Sequence, residues 1–153
     1  MLPKTHIVLG AIFSAMAWLL FPQCAWYGIV LIFLSSFLID FDHYMCAVRR
    51  NGSLSLGKAL DYYDRLAKVE AEEFKRGIRR KGDFHIFHTV EFHLLVLALG
   101  FVFTPFFFVL TGMTFHSLLD LIDMTYKKRL YRREFFFIKW LIERLDKTNK
   151  SFR

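Results

Sequence analysis

Four stretches of the chain are almost free of charge: roughly Ile7–Phe21, Ala25–Phe41, Phe92–Thr104 and Pro105–Ile122. Charged residues crowd into the segment between the second and third stretches and into the tail. A helix that crosses a bilayer needs about 20 predominantly apolar residues. The first and third stretches reach that length only if Thr5 and His6 extend one and residues 85–91 extend the other. The pattern predicts helices at about 5–21, 25–43, 85–104 and 105–123. Phe21-Pro22-Gln23 and Thr104-Pro105 form the turns, and proline suits a helix end.

The polar segments carry a different period. Leu56, Leu60, Tyr63, Leu66, Phe74 and Ile78 recur at steps of three or four residues or their multiples, which predicts an amphipathic helix over about 55–80. Asn51-Gly52 supplies a turn before it, and Gly82 after Arg79, Arg80 and Lys81 supplies an end. Phe135, Ile138, Leu141, Ile142 and Leu145 can share one face of a second amphipathic helix over about 133–147, with Trp140 suited to a membrane interface. Residues 1–153 therefore read as one all-α membrane domain. Four transmembrane helices form a bundle, joined by a cytoplasmic helical insert and an interfacial C-terminal helix.

Composition agrees with lipid as the solvent. The chain is 55% hydrophobic and 18% aromatic, with 19 Phe in 153 residues. A soluble domain of this size has too little interior to hide so much apolar surface. Lys4 precedes the first helix, and the other Lys and Arg lie in 46–83 or after Asp123, while the two short turns carry none. The positive-inside rule then places both termini in the cytoplasm and the chain in the cell's inner, cytoplasmic membrane. The formal net charge of +7 fits anchoring to anionic lipid heads, with no nucleic-acid partner required. Phe-Pro-Gln before Cys24 suits neither a cleavage site nor lipid attachment, so the first helix is expected to stay. Cys24 and Cys46 flank the second helix, about 33 Å apart along it, too far for a disulfide.

Candidate chemistry appears once the polar residues are placed on this topology. His6 opens the first helix, and Asp40, Asp42 and His43 close the second. His85, His88, Glu91 and His93 begin the third, and His116, Asp120 and Asp123 end the fourth. All lie in the inner leaflet. Ionisable groups in a membrane are costly and normally face the bundle interior. His116, Asp120 and Asp123 follow i, i+4, i+7 spacing on one face. His93 lies about 140° around an ideal helix from His88, at about 100° per residue, so both reach one centre only if the helix starts late. Taken singly, His6 and His85 read as interfacial residues, and Asp123 as an ion-pair partner of Lys127. Taken together, mixed imidazoles and carboxylates suit a divalent metal, with Zn favoured over Mn or Fe and one or two ions.

Four ordered motifs carry a resemblance: Thr-His at 5–6, Asp-Phe-Asp-His at 40–43, His-Thr-Val-Glu-Phe-His at 88–93 and His-Ser-Leu-Leu-Asp at 116–120. The set resembles the YdjM-like inner-membrane metal-dependent hydrolases, from residue 5 to about residue 123. By position, the resemblance implies metal roles for His6, Asp40, Asp42, His43, His88, His93, His116 and Asp120, and a likeness to zinc-dependent phospholipase-type sites. The third motif departs from the family's His-Arg-Gly-x-Thr-His-Ser. Thr89-Val90 replaces Arg-Gly, Glu91-Phe92 replaces x-Thr, and Leu94 replaces Ser. If the family's Arg holds a phosphate, that role is either missing here or taken by a loop residue such as Arg79 or Arg80.

The expected function is a membrane-embedded metal-dependent hydrolase acting on a phosphate ester or lipid head group, with Asp42, Asp120 or Glu91 taking the proton. One competing expectation is a haem-binding electron carrier using His93 and His116. Another is a metal-ion transporter, which would want polar residues through both leaflets rather than one.

Overall fold

The computed structural model describes residues 3–151. Seven α-helices are present among them: α1 Pro3–Leu20, α2 Trp26–Leu38, α3 Phe41–Asn51, α4 Leu56–Lys75, α5 Val90–Val102, α6 Pro105–Tyr126 and α7 Phe137–Ser151. Short 3-10 turns occupy Ile86–His88 and Leu130–Arg132, and the described residues contain no strand. The all-α expectation holds. Helix α2 lies against α6 and α1, and α5 packs on α6.

The predicted boundaries shift for local reasons. The second apolar helix does not stop at 43. It tightens at Ile39–Asp40, where Asp40 N–H donates to the Phe37 carbonyl, and runs on as α3. Gly52 ends α3 in a left-handed conformation at φ 62°, one that glycine adopts without steric cost. Helix α4 starts under the Ser55 cap, whose hydroxyl accepts from Lys58 N–H. It stops at Lys75, well short of 80, because Gly77 turns to φ 73°. Glycine at this position is a common helix stop.

The third apolar helix is the largest correction. A helix of 85–104 was expected, but α5 begins at Val90. His85 is extended, Ile86–His88 form a 3-10 turn, and the buried Thr89 caps α5 through its hydroxyl. Among the described residues, by length and apolarity, only the run Trp26–Asn51 and helix Pro105–Tyr126 reach membrane-crossing size. Lys4–Leu20 and Val90–Val102 are apolar but shorter.

Burial is inverted relative to a water-soluble protein. The largest fully buried side chains are His6, His116, Thr89 and Ser36. Val8, Ile12, Met16 and Leu19 on α1, Leu94 and Leu95 on α5, and Leu118 and Ile122 on α6 are exposed. Among the described residues the buried apolar side chains are few and small in extent, with Ile39, Val96 and Met113 forming one cluster and Ile32, Ala47 and Ala59 lying elsewhere. Close helix contact uses small residues instead. A Cβ on Gly112 would stand 2.3 Å from the Ile32 carbonyl oxygen and 2.1 Å from Ser35 Oγ. Gly112 therefore lets α6 approach the α2 backbone directly.

Helix α4 and the following segment are tied down by polar contacts. Arg50 Nη2 donates to Asp83 Oδ1 at 2.7 Å, and Tyr62 Oη to Asp83 Oδ2 at 3.1 Å. Burial opposes the charge on Asp83, but hydrogen bonds from Arg50, Cys46 and Tyr62 hold its carboxyl below the usual range. Burial, with the nearby Asp83 charge, pushes the Tyr62 phenol up to about 12. Arg132 pairs with Glu70 at 2.7 Å, and Lys81 with Glu134. Gly82 N–H donates to the Arg132 carbonyl. Both cysteines are free, as their separation requires.

Candidate metal centre

The centre forms where helix ends and a turn meet. The Ile39–Asp40 tightening presents Asp40, Asp42 and His43. The 85–89 turn presents His85 and His88. Helix α6 adds His116 and Asp120 one turn apart, and α1 adds His6. The close approach at Gly112 matters here, because His116 lies one turn further along the same face. It reaches Ser36 of α2, where His116 Nδ1 lies 2.8 Å from the Ser36 carbonyl.

Hydrogen bonding fixes which imidazole atoms face the centre. A carbonyl can only accept, so His116 carries its proton on Nδ1 and turns the bare Nε2 inward. His88 Nδ1 lies 3.1 Å from Asp42 Oδ2, a carboxylate that also accepts from Phe87 N–H at 3.0 Å. His88 is therefore protonated on Nδ1 as well, and its Nε2 also points inward. These two Nε2 atoms stand 3.2 Å apart. Asp40 Oδ1 completes a triangle at 3.5 Å from His88 Nε2 and 3.4 Å from His116 Nε2. Two imidazole nitrogens and a carboxylate oxygen thus converge on one point. A cation at the centre would satisfy all three atoms at once. The edges of a tetrahedral zinc site are about 3.3 Å, given Zn–N distances of about 2.0–2.1 Å. The residues present fit the group. A carboxylate and a carbonyl behind the two rings are the supports that metal-binding histidines usually have.

Asp120 and His6 adjoin the triangle. His6 is 1% exposed and stacks on the His116 ring at 3.9 Å between centroids. Its Nε2 is 3.2 Å from Asp120 Oδ1. Asp120 Oδ2 lies 3.7 Å from His116 Nε2 and accepts from Arg133 Nη2 at 2.8 Å. Single ligand atoms of His6, Asp40 and His116, and of His88, His116 and Asp120, lie within 4.8 Å of one another, as do those of Asp40, His43 and His88. The side chains of His43 and Asp40 are the open edge, 26% and 21% exposed, whereas His88 and His116 are sealed.

Seven of the eight expected metal residues, His6, Asp40, Asp42, His43, His88, His116 and Asp120, come together. His93 does not. Because α5 starts after His88, His93 lies in its first turn. Its Nδ1 is 2.9 Å from the Thr89 carbonyl and its Nε2 is 3.1 Å from Ser117 Oγ. The His93 and His116 Nε2 atoms therefore engage different partners, and the pair named for a haem is not assembled. Glu91 also lies elsewhere. Its oxygens accept from Phe137 and Ile138 N–H at 2.9 and 3.2 Å, capping α7. Asp123 pairs with Lys127 at 2.8 Å. Arg80 pairs with Glu73, and Arg79 lies over Tyr131, whereas Arg133 reaches the cluster through Asp120. His85 joins the cluster, having been read as interfacial; its spacing of one turn from His88 was the available signal.

No protein-family model, curated protein or solved structure matches the chain.

Proposed function

We propose that this protein is a multi-pass membrane protein that hydrolyses a phosphate ester, such as a lipid head group, at a divalent metal centre facing the cytoplasmic leaflet. The observation that carries the proposal is the triangle of His88 Nε2, His116 Nε2 and Asp40 Oδ1. Zinc suits this donor set best. The bound ion supplies Lewis acidity to a water and to a phosphoryl oxygen. Asp42 or Asp120 would be the carboxylate that receives the water's proton, and Asp120 Oδ1 lies 3.2 Å from His6 Nε2. Arg133, only 13% exposed at its side chain, offers the guanidinium that an anionic phosphate requires. The four ordered motifs that resemble those of the YdjM-like hydrolases support the same chemistry, with Arg133 in place of the arginine that this chain's third motif has lost to Thr89.

The membrane position rests on the inverted burial, with polar side chains inside and an apolar girdle outside. Helix α1, the run α2–α3, α5 and α6 are the proposed spans. Both termini lie on the basic, cytoplasmic side.

The test is elemental analysis of protein purified in detergent without a metal-affinity tag, beside Asp42→Ala and His116→Ala. Wild type is expected to hold zinc at near-integer stoichiometry and both variants to lose it. Hydrolysis of a short-chain phospholipid should stop on chelation and return with one metal. A monodisperse wild type that takes up no Zn, Mn or Fe after add-back would end this proposal.

A further inference from the structure

A second group of ligand atoms stands beside the first triangle. Asp42 and His43 are neighbours at the start of α3, and His85 lies in the extended segment before the 3-10 turn. The His43 and His85 rings stack at 3.6 Å between centroids and 28° between planes. His85 Nδ1 lies 3.6 Å from Asp42 Oδ1, and the two side chains are only 10% and 8% exposed. Both atoms are buried without a hydrogen-bond partner. A buried carboxylate oxygen and a buried imidazole nitrogen held at ion-pair distance with no hydrogen bond to either are costly, and the pair needs an explanation. One ligand atom from each of Asp42, His43 and His85 fits within 4.8 Å.

Asp42 therefore faces two ways. Its Oδ2 holds His88 for the triangle described above, while its Oδ1 points at this second group. His43 is positioned from behind: Tyr63 Oη donates to its carbonyl at 2.7 Å and the Tyr63 ring meets the imidazole edge-on. Burial raises the Tyr63 phenol far above its usual range, so it remains a donor. His43 Nε2 also lies 3.6 Å from Asp40 Oδ1, so Asp40 stands between the two groups.

We infer that Asp42, His43 and His85 form a second divalent-cation site, making the centre binuclear with Asp40 at the junction. This deepens the metal-centre reading and rests on it. Two imidazoles and one carboxylate leave a coordination position open, the composition of a catalytic rather than a purely structural zinc site. The substrate class follows. Paired ions suit a phosphoryl group, because the attacking and leaving oxygens can be stabilised separately. The exposed edge of His43 is where such a group would enter.

The test is zinc content per chain after equilibration with zinc and removal of excess, in wild type, His85→Gln and His116→Gln. The expected values are two, about one, and one or fewer. One zinc in wild type, unchanged in His85→Gln but lost in His116→Gln, would overturn the second site and leave the first standing. Two zinc ions retained in His85→Gln would also overturn this assignment. No zinc in any of them would overturn both. If His85→Gln is not monodisperse, a cobalt(II) titration of wild type followed by visible absorption decides. An end point at two equivalents supports the second site, and an end point at one refutes it.

Discussion

At the scale of single residues, the centre depends on which nitrogen carries a proton. Asp42 sets this for His88 through Oδ2. Asp42→Asn removes the charge that stabilises the oriented ring, and should weaken metal binding by about 10–100-fold in a chelator competition, the usual cost of losing such a partner. His93 supplies the converse case. Its ring is committed to Thr89 and Ser117, so His93→Gln should retain full zinc content while His116→Gln loses it. Equal loss in both would return His93 to the ligand set. The residue types and their one-sided placement were legible from spacing, because one turn of helix brings i and i+4 together. The fates of His93, Glu91 and His85 were not. They depend on the 3-10 turn at Ile86–His88, which rotates everything after it relative to an unbroken helix.

At the scale of elements, the crossing of α2 and α6 is the least forgiving contact. Gly112→Ala places a methyl against the Ile32 carbonyl, which is backbone and cannot rotate away. A cost of about 1–3 kcal/mol is expected for such overpacking. The helices part where His116 meets Ser36, so metal occupancy should fall with thermal stability, although Gly112 touches no ligand. Asp83 makes a separate prediction. Its carboxylate joins Arg50 and Tyr62, so Asp83→Asn should speed trypsin cleavage at Arg79, Arg80 and Lys81 several-fold, with zinc content unchanged. Apolar runs and the Ser55 cap revealed where elements lie. The early stop of α4 was less visible, because Gly77 lies inside a pattern whose apolar period continues to Ile78.

At the scale of the whole molecule, a cluster of polar side chains is buried where α1, α2 and α6 meet while long apolar side chains on α1, α5 and α6 are exposed. A bound cation then contributes to stability as a ligand of the folded state alone. Chelation of the zinc-loaded protein in detergent should lower its melting temperature by about 5–10 °C, for an ion held at a hundredfold excess over its dissociation constant. A metal-independent melting curve would count against the centre.

The shortness of α5 has a consequence for the surrounding lipid. Thirteen residues span on the order of 20 Å, against about 30 Å of hydrocarbon. On the four-span reading this is hydrophobic mismatch on one flank, and the bilayer meets it by thinning there. Head groups are drawn inward beside the turn that carries His85 and His88. Under the proposed function, a short helix would bring the phosphate plane down to the metal centre without lifting a lipid out of its leaflet. Vesicles with shorter acyl chains should support faster turnover than thick ones at equal head-group composition.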